Sequence, residues 1–474
     1  MKTGDALTRN TWHRLAALQV VAFGVCLAYW YYQIEFSYVD AIATFDRVGR
    51  QSWPDMFDEI LAGSAEFRPA QSSMIKAVHD LVGPSVVVFR TLELALLSGI
   101  AMLFVALLRP RSEATWFGFT VGFGCLFGLH TARPVFISAL PMGHGLLVVS
   151  VLFLATILLL RRRPSLALDG SALVLSLLAI FQYEAGVIVP VVWVVAGALQ
   201  LGGARWRTAV GVLLVLGLYA TVRGLTNSDP LPGPFYNETG LLFQENVTVA
   251  ELQERFAGRE WLFHGYNILA TLFTVPFSEP RAGVFFAVDA LFNGTPVKPW
   301  QLVNWVTSAG STVLIGWIAV GWWRSRDVEG RGLILIGVVV LSLNAALGYL
   351  YTRDRIPALA GVYYALLLGT AAGAAWRRRA EIRDTGRRMM LTAALVVLAI
   401  GWTHRGAGAV LWARDIAWSV KNEWTDRYDR LVAPSNDPTT HALREEFRRR
   451  ATQRVLPNPA DDPQWMRDYF ERKH

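Results

Sequence analysis

Long apolar runs recur along most of the 474-residue chain. A helix needs about 20 consecutive, mainly apolar residues to cross the hydrocarbon core of a bilayer. A chain with many such runs cannot fold as a single soluble domain. Its composition agrees, because 53% of the residues are hydrophobic and only 17% are charged, where soluble proteins carry about 25% charged residues. The sequence therefore predicts an all-α polytopic membrane protein.

The runs predict about eleven transmembrane helices, a helical bundle with short connections. They lie near residues 14–32, 85–108, 115–130, 144–160, 168–183, 185–201, 207–222, 302–323, 331–350, 356–376 and 389–404. The first run is not a cleaved signal peptide, since it continues into the bulky stretch "YWYYQIEF" and no small-residue cleavage site follows.

Arginine in the short connections predicts the orientation, because loops rich in Lys and Arg stay in the cytoplasm. The basic connections are 109–111, 161–163, 204–207, 324–331 and 376–388, and they alternate with connections poor in Lys and Arg. We therefore expect a multi-pass protein of the cytoplasmic (inner) membrane, with the N-terminus inside and the C-terminus outside, or periplasmic. The net charge of +8 is dispersed over these loops, which disfavours nucleic-acid binding.

Three large polar segments then lie on the outer side. They are the loops 33–84 and 223–299, which belong to a transmembrane domain over 1–404, and a helical tail over 405–474. Within the second loop, the apolar stretch 261–277 is too short for an ordinary span and predicts a re-entrant or interface-lying helix. In the tail, Trp and Leu recur at helical spacing over 411–431, which predicts an amphipathic helix that rests on the outer membrane face or on the other outer loops.

The first outer loop carries the first candidates for chemistry. Asp40 follows the first span closely among aromatic and aliphatic neighbours, whereas Asp46 is better explained as a loop acid. Glu66 and Arg68 precede Pro69, and proline is favoured at the first turn of a helix. The stretch "AQSSMIKAVHDLVG" therefore predicts an amphipathic helix that starts at Pro69 and lies parallel to the membrane.

Other outer connections add acids and bases. His130 and Arg133 lie in the stretch 129–145 together with His144, Glu184 lies at the tip of 181–190, and Arg353 and Arg355 precede the span near 356–376. Each alone is as well explained as an interface residue. All of them come from outer ends, so we expect several to surround one cavity. The two cysteines, Cys26 and Cys125, lie inside apolar runs and form neither a disulfide framework nor a metal pair.

These stretches, in this order, resemble the GT-C superfamily of polytopic glycosyltransferases, and most closely the TMTC-type O-mannosyltransferases and their bacterial relatives. The resemblance covers roughly 15–365 and is carried by "EFSYVDAIATFDRV", "FRPA" at 67–70, "HTARPVFI" from His130, "YEAGVIVP" at 183–190 and "TRDRIPAL" at 352–359. The chain departs from the family where a paired aspartate is Val39, where Arg133 stands near a missing acid, and where Tyr183 replaces a lysine. No tetratricopeptide array follows the membrane part.

The resemblance implies a GT-C-like fold and transfer of a sugar from a polyprenyl-phosphate donor to an acceptor hydroxyl on the outer face, with inversion. It implies Asp40 as a catalytic residue. Glu66 is the second catalytic candidate, and the alternative is that Glu66 and Arg68 hold in place the loop that carries Asp40. The implied substrate-binding residues are Arg68, His130, Arg133, Glu184, Arg353 and Arg355. The acceptor is a protein, lipid or glycan. No cofactor is implied, and a divalent metal is left open. The alternatives are a lipid or small-molecule transporter or flippase, and a non-catalytic envelope scaffold.

Overall fold

The protein is described by a computed structural model. It describes residues 3–62, 67–141, 145–226, 235–237, 246–247, 249–277, 292–294, 296–349, 351–352, 355–428 and 437–470. For 3–9, 39–40, 235–237, 246–247, 249 and 351–352 it describes the backbone alone.

The architecture is all-α, as predicted, with nineteen described α-helices. The first ten are α1 Thr3–Tyr31, α2 Tyr38–Arg50, α3 Trp53–Leu61, α4 Pro69–Val82, α5 Val86–Leu108, α6 Glu113–Gly128, α7 Arg133–Phe136, α8 Leu146–Leu159, α9 Leu166–Gln182 and α10 Ile188–Ala198. The others are α11 Trp206–Thr226, α12 Val249–Phe256, α13 Trp261–Phe277, α14 Pro299–Arg324, α15 Val328–Leu347, α16 Ala358–Arg378, α17 Thr385–Trp424, α18 Pro438–Thr452 and α19 Gln464–Tyr469.

Each of the eleven predicted spans coincides with a helix. Within the described residues, seven helices are long and apolar enough to cross a membrane: α1, α5, α11, α14, α15, α16 and α17. The other four are shorter, at 16 residues in α6, 14 in α8, 17 in α9 and 11 in α10. The protein is therefore a multi-pass helical membrane protein with seven candidate spans, fewer than the eleven predicted.

Helix α16 forms the centre of the bundle, where 94% of its apolar window is buried. Glycines let α6 approach it closely. A Cβ placed on Gly118 would lie 2.3 Å from the carbonyl oxygen of Gly369, and one on Gly122 would lie 3.0 Å from that of Ala365. Small residues at such spacing let helix backbones touch inside a membrane. A second glycine face of α6 packs on α17, where Gly124 meets Trp402.

The arginine-rich connections meet at one end of the bundle. Arg379 pairs with Glu113 at 2.8 Å, and Arg161 approaches Glu329 at 3.9 Å and donates to the carbonyl oxygen of Leu107 at 2.5 Å. Gly203 donates a main-chain hydrogen bond to Leu160. These contacts place the basic connections at the same end of the bundle, as the prediction of alternating spans requires.

Helix α17 is longer than predicted. The apolar run near 389–404 and the amphipathic stretch 411–431 were expected as two elements, but one helix of 40 residues covers Thr385–Trp424. At 1.5 Å per residue it measures about 60 Å, roughly twice the hydrocarbon thickness of a bilayer. Its second half therefore exceeds the length needed to cross a bilayer, and it is packed along its length, with Gly408, Ala413 and Val420 buried.

Helix α13 has the bounds of the predicted stretch 261–277. Its first half lies against the end of α15, where His264 and Asn267 contact the carbonyl oxygen of Tyr349. Its last turn reaches the middle of α14, where Thr312 donates to the carbonyl oxygen of Pro276 at 2.7 Å. A helix that enters beside the end of one span and stops beside the middle of another fits the re-entrant alternative better than the interface-lying one.

Candidate functional site

The connections poor in Lys and Arg meet at the other end of the bundle. The main-chain N–H of Ser37, after α1, donates to the carbonyl oxygen of Ala139 at 3.0 Å. Arg90, in the first turn of α5, donates to that of Ser138 at 2.8 Å. A Cβ on Gly145 would lie 3.2 Å from the side chain of Gln71 in α4 and 2.9 Å from the carbonyl oxygen of Gln182. The first outer loop, the start of α5, the connection between α7 and α8, and the end of α9 are thus in contact here.

Arg68 and Glu184 are brought together, although 116 positions separate them. Arg68 Nε lies 3.1 and 3.0 Å from the two carboxylate oxygens of Glu184, and Nη2 lies 3.0 Å from Oε2. The guanidinium also lies over the ring of Tyr183, 4.2 Å from its centroid. The side chains are 16% and 31% exposed, so the pair is partly shielded from water. Charge-assisted pairs with several contacts are the stronger kind, and this one fixes the entry to α4.

Helix α4 starts at Pro69, with Arg68 as its N-cap, as the sequence predicted. It ends at Gly83, whose φ of 65° is a conformation that glycine adopts without strain. Buried Lys76 joins α4 to α2 by donating to the carbonyl oxygen of Val48 at 3.1 Å. The same ammonium donates to Asp80 at 3.1 Å, which lowers the pKa of that carboxyl. Two elements of the first outer loop are thereby held together.

Asp40 lies in the first turn of α2, and its side chain is outside the described residues. The buried face of α2 is formed by Tyr38, Ala41, Ile42, Phe45 and Val48. Asp46 pairs with Arg50 at 2.6 Å and accepts from Thr440 at 2.9 Å. Asp46 therefore acts as a structural acid that joins the loop to the tail, in line with its interpretation as a loop acid. Glu66 falls outside the described part of the chain.

The most deeply buried ion pair is one that sequence analysis missed. Arg90 and Glu93, both fully buried, are 2.7 Å apart in α5. Arg90 Nε also donates to the carbonyl oxygen of Ile34 at 3.1 Å, and Nη2 to that of Glu35 at 3.3 Å. The Arg90 guanidinium thus contacts the segment after α1 on one side and the connection that contains Ser138 on the other. A signal was present, because "FRTLE" places two charges inside an apolar run, where charged residues are costly.

Glu35 links this end of the bundle to the tail. It is fully buried, and its carboxylate lies 3.2 Å from Arg454 and 3.7 Å from Arg450. Trp424 Nε1, at the end of α17, donates to the carbonyl oxygen of Phe36 at 2.8 Å. The tail is therefore packed onto the first outer loop by buried polar contacts, which agrees with the second of the two positions expected for it.

His130 and Arg133 are both 3% exposed. Arg133 donates to the carbonyl oxygens of Phe127 at 3.4 Å and Arg405 at 2.9 Å, so it holds the end of α6 against the middle of α17. Thr131, beside His130, packs against Gly361 of α16, because a Cβ placed on Gly361 would lie 2.7 Å from Thr131 Oγ1. These two predicted site residues therefore lie deeper in the bundle than the Arg68–Glu184 pair.

Arg355 is half-buried and lies just before α16. Arg353 and His144 are outside the described residues.

A small sheet lies next to the connection that carries Arg353 and Arg355. Strand β1 Phe235–Asn237 pairs antiparallel with β2 Asn246–Val247 and parallel with β3 Tyr351–Thr352. The second outer loop is thus held against the connection that carries Arg353 and Arg355.

Among the described residues, no group of three His, Cys, Asp or Glu side chains is placed to hold a metal ion. Comparison of the chain with protein-family models, with curated proteins and with solved structures finds no match. The resemblance to the GT-C superfamily therefore rests on the quoted motifs alone.

Proposed function

We propose that the chain is a glycosyltransferase of GT-C type in the cytoplasmic membrane, moving a sugar from a polyprenyl-phosphate donor to an acceptor hydroxyl on the outer face. The observation that carries this proposal is the Arg68–Glu184 contact. The two residues belong to "FRPA" and "YEAGVIVP", stretches that were matched to the family independently. A folded site is expected to bring such stretches together, and an accidental match gives no reason for them to touch.

The proposed chemistry is direct displacement at the anomeric carbon. Asp40 accepts the proton of the acceptor hydroxyl as the new glycosidic bond forms and the bond to the lipid phosphate breaks. A positioned base contributes about 10²–10⁴-fold to such a step. Arg353 and Arg355 stabilise the charge on the leaving phosphate, because guanidinium pairs with phosphate oxygens in a bidentate manner. Backside attack inverts the anomeric configuration.

The other predicted residues take supporting roles in this proposal. Arg68 and Glu184 neutralise each other and fix the start of α4, so they position the first outer loop around the donor. Arg133 holds two helices through their carbonyl oxygens, which leaves it a smaller part in binding the donor phosphate than the sequence suggested. Glu66 remains the second candidate for the base.

A transporter or flippase is the alternative, and it requires a polar path through the bilayer. In α14 the buried polar residues Asn304, Thr307, Ser308 and Ser311 form one stripe, which Leu314 and Ile318 continue as an apolar one. The polar stripe thus stops near the middle of the helix in the described structure. A half-depth polar region suits an enzyme that acts at one face of the membrane.

The distinguishing experiment uses the purified protein in liposomes with polyprenyl phosphate carrying radiolabelled mannose or glucose, and a bacterial envelope fraction as the source of acceptors. The proposal predicts that label leaves the polyprenyl phosphate and appears on a protein, lipid or glycan acceptor of the envelope fraction. Movement of intact labelled lipid between leaflets, without loss of sugar, would establish the transporter instead.

A further inference from the structure

At the arginine-rich end of the bundle, one half-buried guanidinium differs from the others. Among the described residues there, five arginines are half-buried, and four of them donate hydrogen bonds to oxygen atoms of the protein: Arg161, Arg205, Arg331 and Arg379. The fifth is Arg378, the last residue of α16. Within the described structure it has no hydrogen-bond acceptor and no carboxylate partner, which leaves its donors available to a ligand.

Arg378 lies against α14. Its guanidinium is 5.7 Å from the centroid of the Trp317 ring, and a Cβ on Gly321 would lie 2.6 Å from Nη2 and 2.7 Å from Nη1. The missing side chain of Gly321 therefore makes the space in which the guanidinium lies. Gly310, two turns before Trp317 on the same face of α14, packs on Leu398 of α17. Arg378 thus lies at the arginine-rich end of the seam between α14 and α17.

The depth of Arg378 in the membrane is that of the lipid headgroups. It lies 20 residues after Ala358 in α16, a rise of about 30 Å. Gly321 lies 22 residues after Pro299 in α14, a rise of about 33 Å. The hydrocarbon core of a bilayer is about 30 Å thick. Trp317 agrees with this position, because tryptophan is enriched where the hydrocarbon core meets the headgroups.

The surface beside Arg378 is open towards the bilayer. On α14, Val313, Trp317 and Val320 are 71%, 44% and 50% exposed, and their spacing puts them on one side of the helix. A phospholipid that lies against this surface needs no enclosed cavity. Its acyl chains cover the apolar side chains, and its phosphate reaches the guanidinium from the headgroup layer.

The charge around Arg378 favours an anion. From 377 to 388 the chain has six arginines and two acids. One acid, Asp384, already accepts a hydrogen bond from the main-chain N–H of Arg387 at the start of α17, and the other, Glu381, is exposed. The rule that basic loops stay in the cytoplasm explains the number of arginines. It does not explain why one of them is held against α14 without an acceptor.

We propose that Arg378 binds the phosphate of an anionic phospholipid whose acyl chains lie on α14 beside its seam with α17. The guanidinium donates to two phosphate oxygens, a geometry for which it is well suited, and the Trp317 ring keeps it in place by a cation–π contact. Inorganic phosphate offers the same oxygens but lacks the acyl chains that the exposed side of α14 would contact. The site lies at the opposite end of the bundle from the candidate functional site, and it goes beyond the proposed glycosyltransferase activity.

Lipid binding to the purified, delipidated full chain tests this proposal by native mass spectrometry, with phosphatidylglycerol, phosphatidylcholine and inorganic phosphate as the probes. We expect phosphatidylglycerol to bind roughly tenfold or more tightly than phosphatidylcholine, and Arg378→Gln to remove most of that preference, since hydrogen bonds to charged groups contribute about this much. Arg377→Gln, at the exposed neighbouring position, removes the same charge and should lower the preference by less than about threefold. Equal losses in the two variants would show a diffuse attraction to the basic loop and would overturn the proposal.

A second pair of variants changes the geometry and keeps every charge. Gly321→Ala puts a methyl group where the Arg378 guanidinium lies, so it should displace that group and lower the preference for phosphatidylglycerol as Arg378→Gln does. Gly316→Ala is the matched control and should keep the preference, because nothing lies within 4 Å of a Cβ placed there. An unchanged preference in Gly321→Ala overturns the proposal. So does binding of inorganic phosphate with no preference between the two lipids, which would assign Arg378 to a soluble phosphate.

Discussion

Arg68 illustrates at the scale of a single residue how a short motif becomes a structural contact. Its guanidinium reaches Glu184 and lies over Tyr183, so it joins the start of α4 to the turn between α9 and α10. The family pattern has a lysine where this chain has Tyr183. The ring of Tyr183 makes a favourable cation–π contact with the Arg68 guanidinium.

Glu184→Gln should lower the unfolding free energy by about 1–3 kcal/mol, the usual effect of losing hydrogen bonds to a charged, partly buried group. Thermal unfolding in detergent measures this effect. The exposed Arg449–Glu446 pair in α18 is the control, where Glu446→Gln should change stability by less than about 1 kcal/mol. Equal effects at both sites would show that the Arg68–Glu184 pair has no special role in the fold.

Single residues also show what the sequence leaves open. Arg68 and Pro69 were predictable because proline at a helix start is a local rule. The partners of Glu35 were not, because Arg450 and Arg454 lie more than 400 positions away and nothing local links them. The pairing of Arg133 with carbonyl oxygens was hidden for the same reason, since a main-chain acceptor leaves no trace in the sequence.

At the scale of helices, the pattern of apolar residues placed a helix at each predicted span, because hydrophobic runs are local. Seven of the described helices are long and apolar enough to cross a membrane, fewer than the eleven predicted. The apolar pattern misplaced the end of α17. The stretches 389–404 and 411–431 were expected as two elements, yet one helix covers both. Gly406 packs against the backbone of Gly124, and the polar stripe of α14 accepts the Arg405 guanidinium. Tertiary contacts thus override the local signal for a helix end.

The contact between α6 and α16 gives a prediction about helix packing. A methyl group on Gly118 would meet the backbone of Gly369 at 2.3 Å, a distance that flexible side chains cannot relieve. Gly118→Ala should therefore destabilise the bundle by at least about 1–3 kcal/mol through overpacking, seen as a lower yield of monodisperse protein and a lower unfolding temperature.

Gly316 in α14 is the matched control, because nothing lies within 4 Å of a Cβ placed there. Gly316→Ala should be neutral or stabilising, since alanine is better in a helix by up to about 1 kcal/mol. If Gly118→Ala behaves like Gly316→Ala, the close packing of α6 on α16 is wrong.

Docking of the tail gives a prediction about pH. Asp437, which caps α18, accepts from Thr440 and pairs with Arg50, and these contacts lower the pKa of its carboxyl. The carboxylate is favoured in the folded state, so its contribution is complete above the ordinary aspartate value of 3.8 and is lost as the pH falls through the lowered pKa. The protection of the α18 amides, measured as exchange relative to the intrinsic rate at each pH, should be constant from about pH 7 to pH 5 and should fall below about pH 4.

Asp437→Asn removes the same charge at every pH. Its α18 amides should exchange faster than those of the parent at pH 7, and the difference should shrink in acid. Equal protection of both proteins at pH 7 would show that the contact of Asp437 with Arg50 and Thr440 does not hold the tail.

At the scale of the whole molecule, arginine-rich connections occupy one end of the bundle and the connections with candidate chemistry occupy the other. The sequence predicted this alternation through the charge rule. It did not predict the small sheet β1–β3, because strands of two or three residues have no periodicity to detect. It left open whether the tail lies on the membrane face or on the outer loops, because the partners of Glu35 are distant in the chain.

Topology follows from the same alternation, and it predicts that the tail is outside. Val455, which is 95% exposed, is replaced by cysteine in a Cys26→Ser background, while Cys125 is buried. A membrane-impermeant maleimide should label Val455→Cys in spheroplasts and should not label Ser325→Cys until the membrane is opened. The reverse pattern would invert the protein and put the proposed site in the cytoplasm.

In the proposed function, the outer end of the bundle transfers sugar with Asp40 as the base. The most direct measurement compares single-turnover transfer from a radiolabelled polyprenyl-phosphate sugar by the parent, Asp40→Asn and Asp46→Asn, each normalised to folded protein. Asp40→Asn should fold and bind the donor yet lose transfer by about 10² or more, the effect of removing a general base. Asp46→Asn, which breaks contacts with Arg50 and Thr440, should lose stability and far less turnover. Transfer by folded Asp40→Asn at the parent rate would show that Asp40 is not the base.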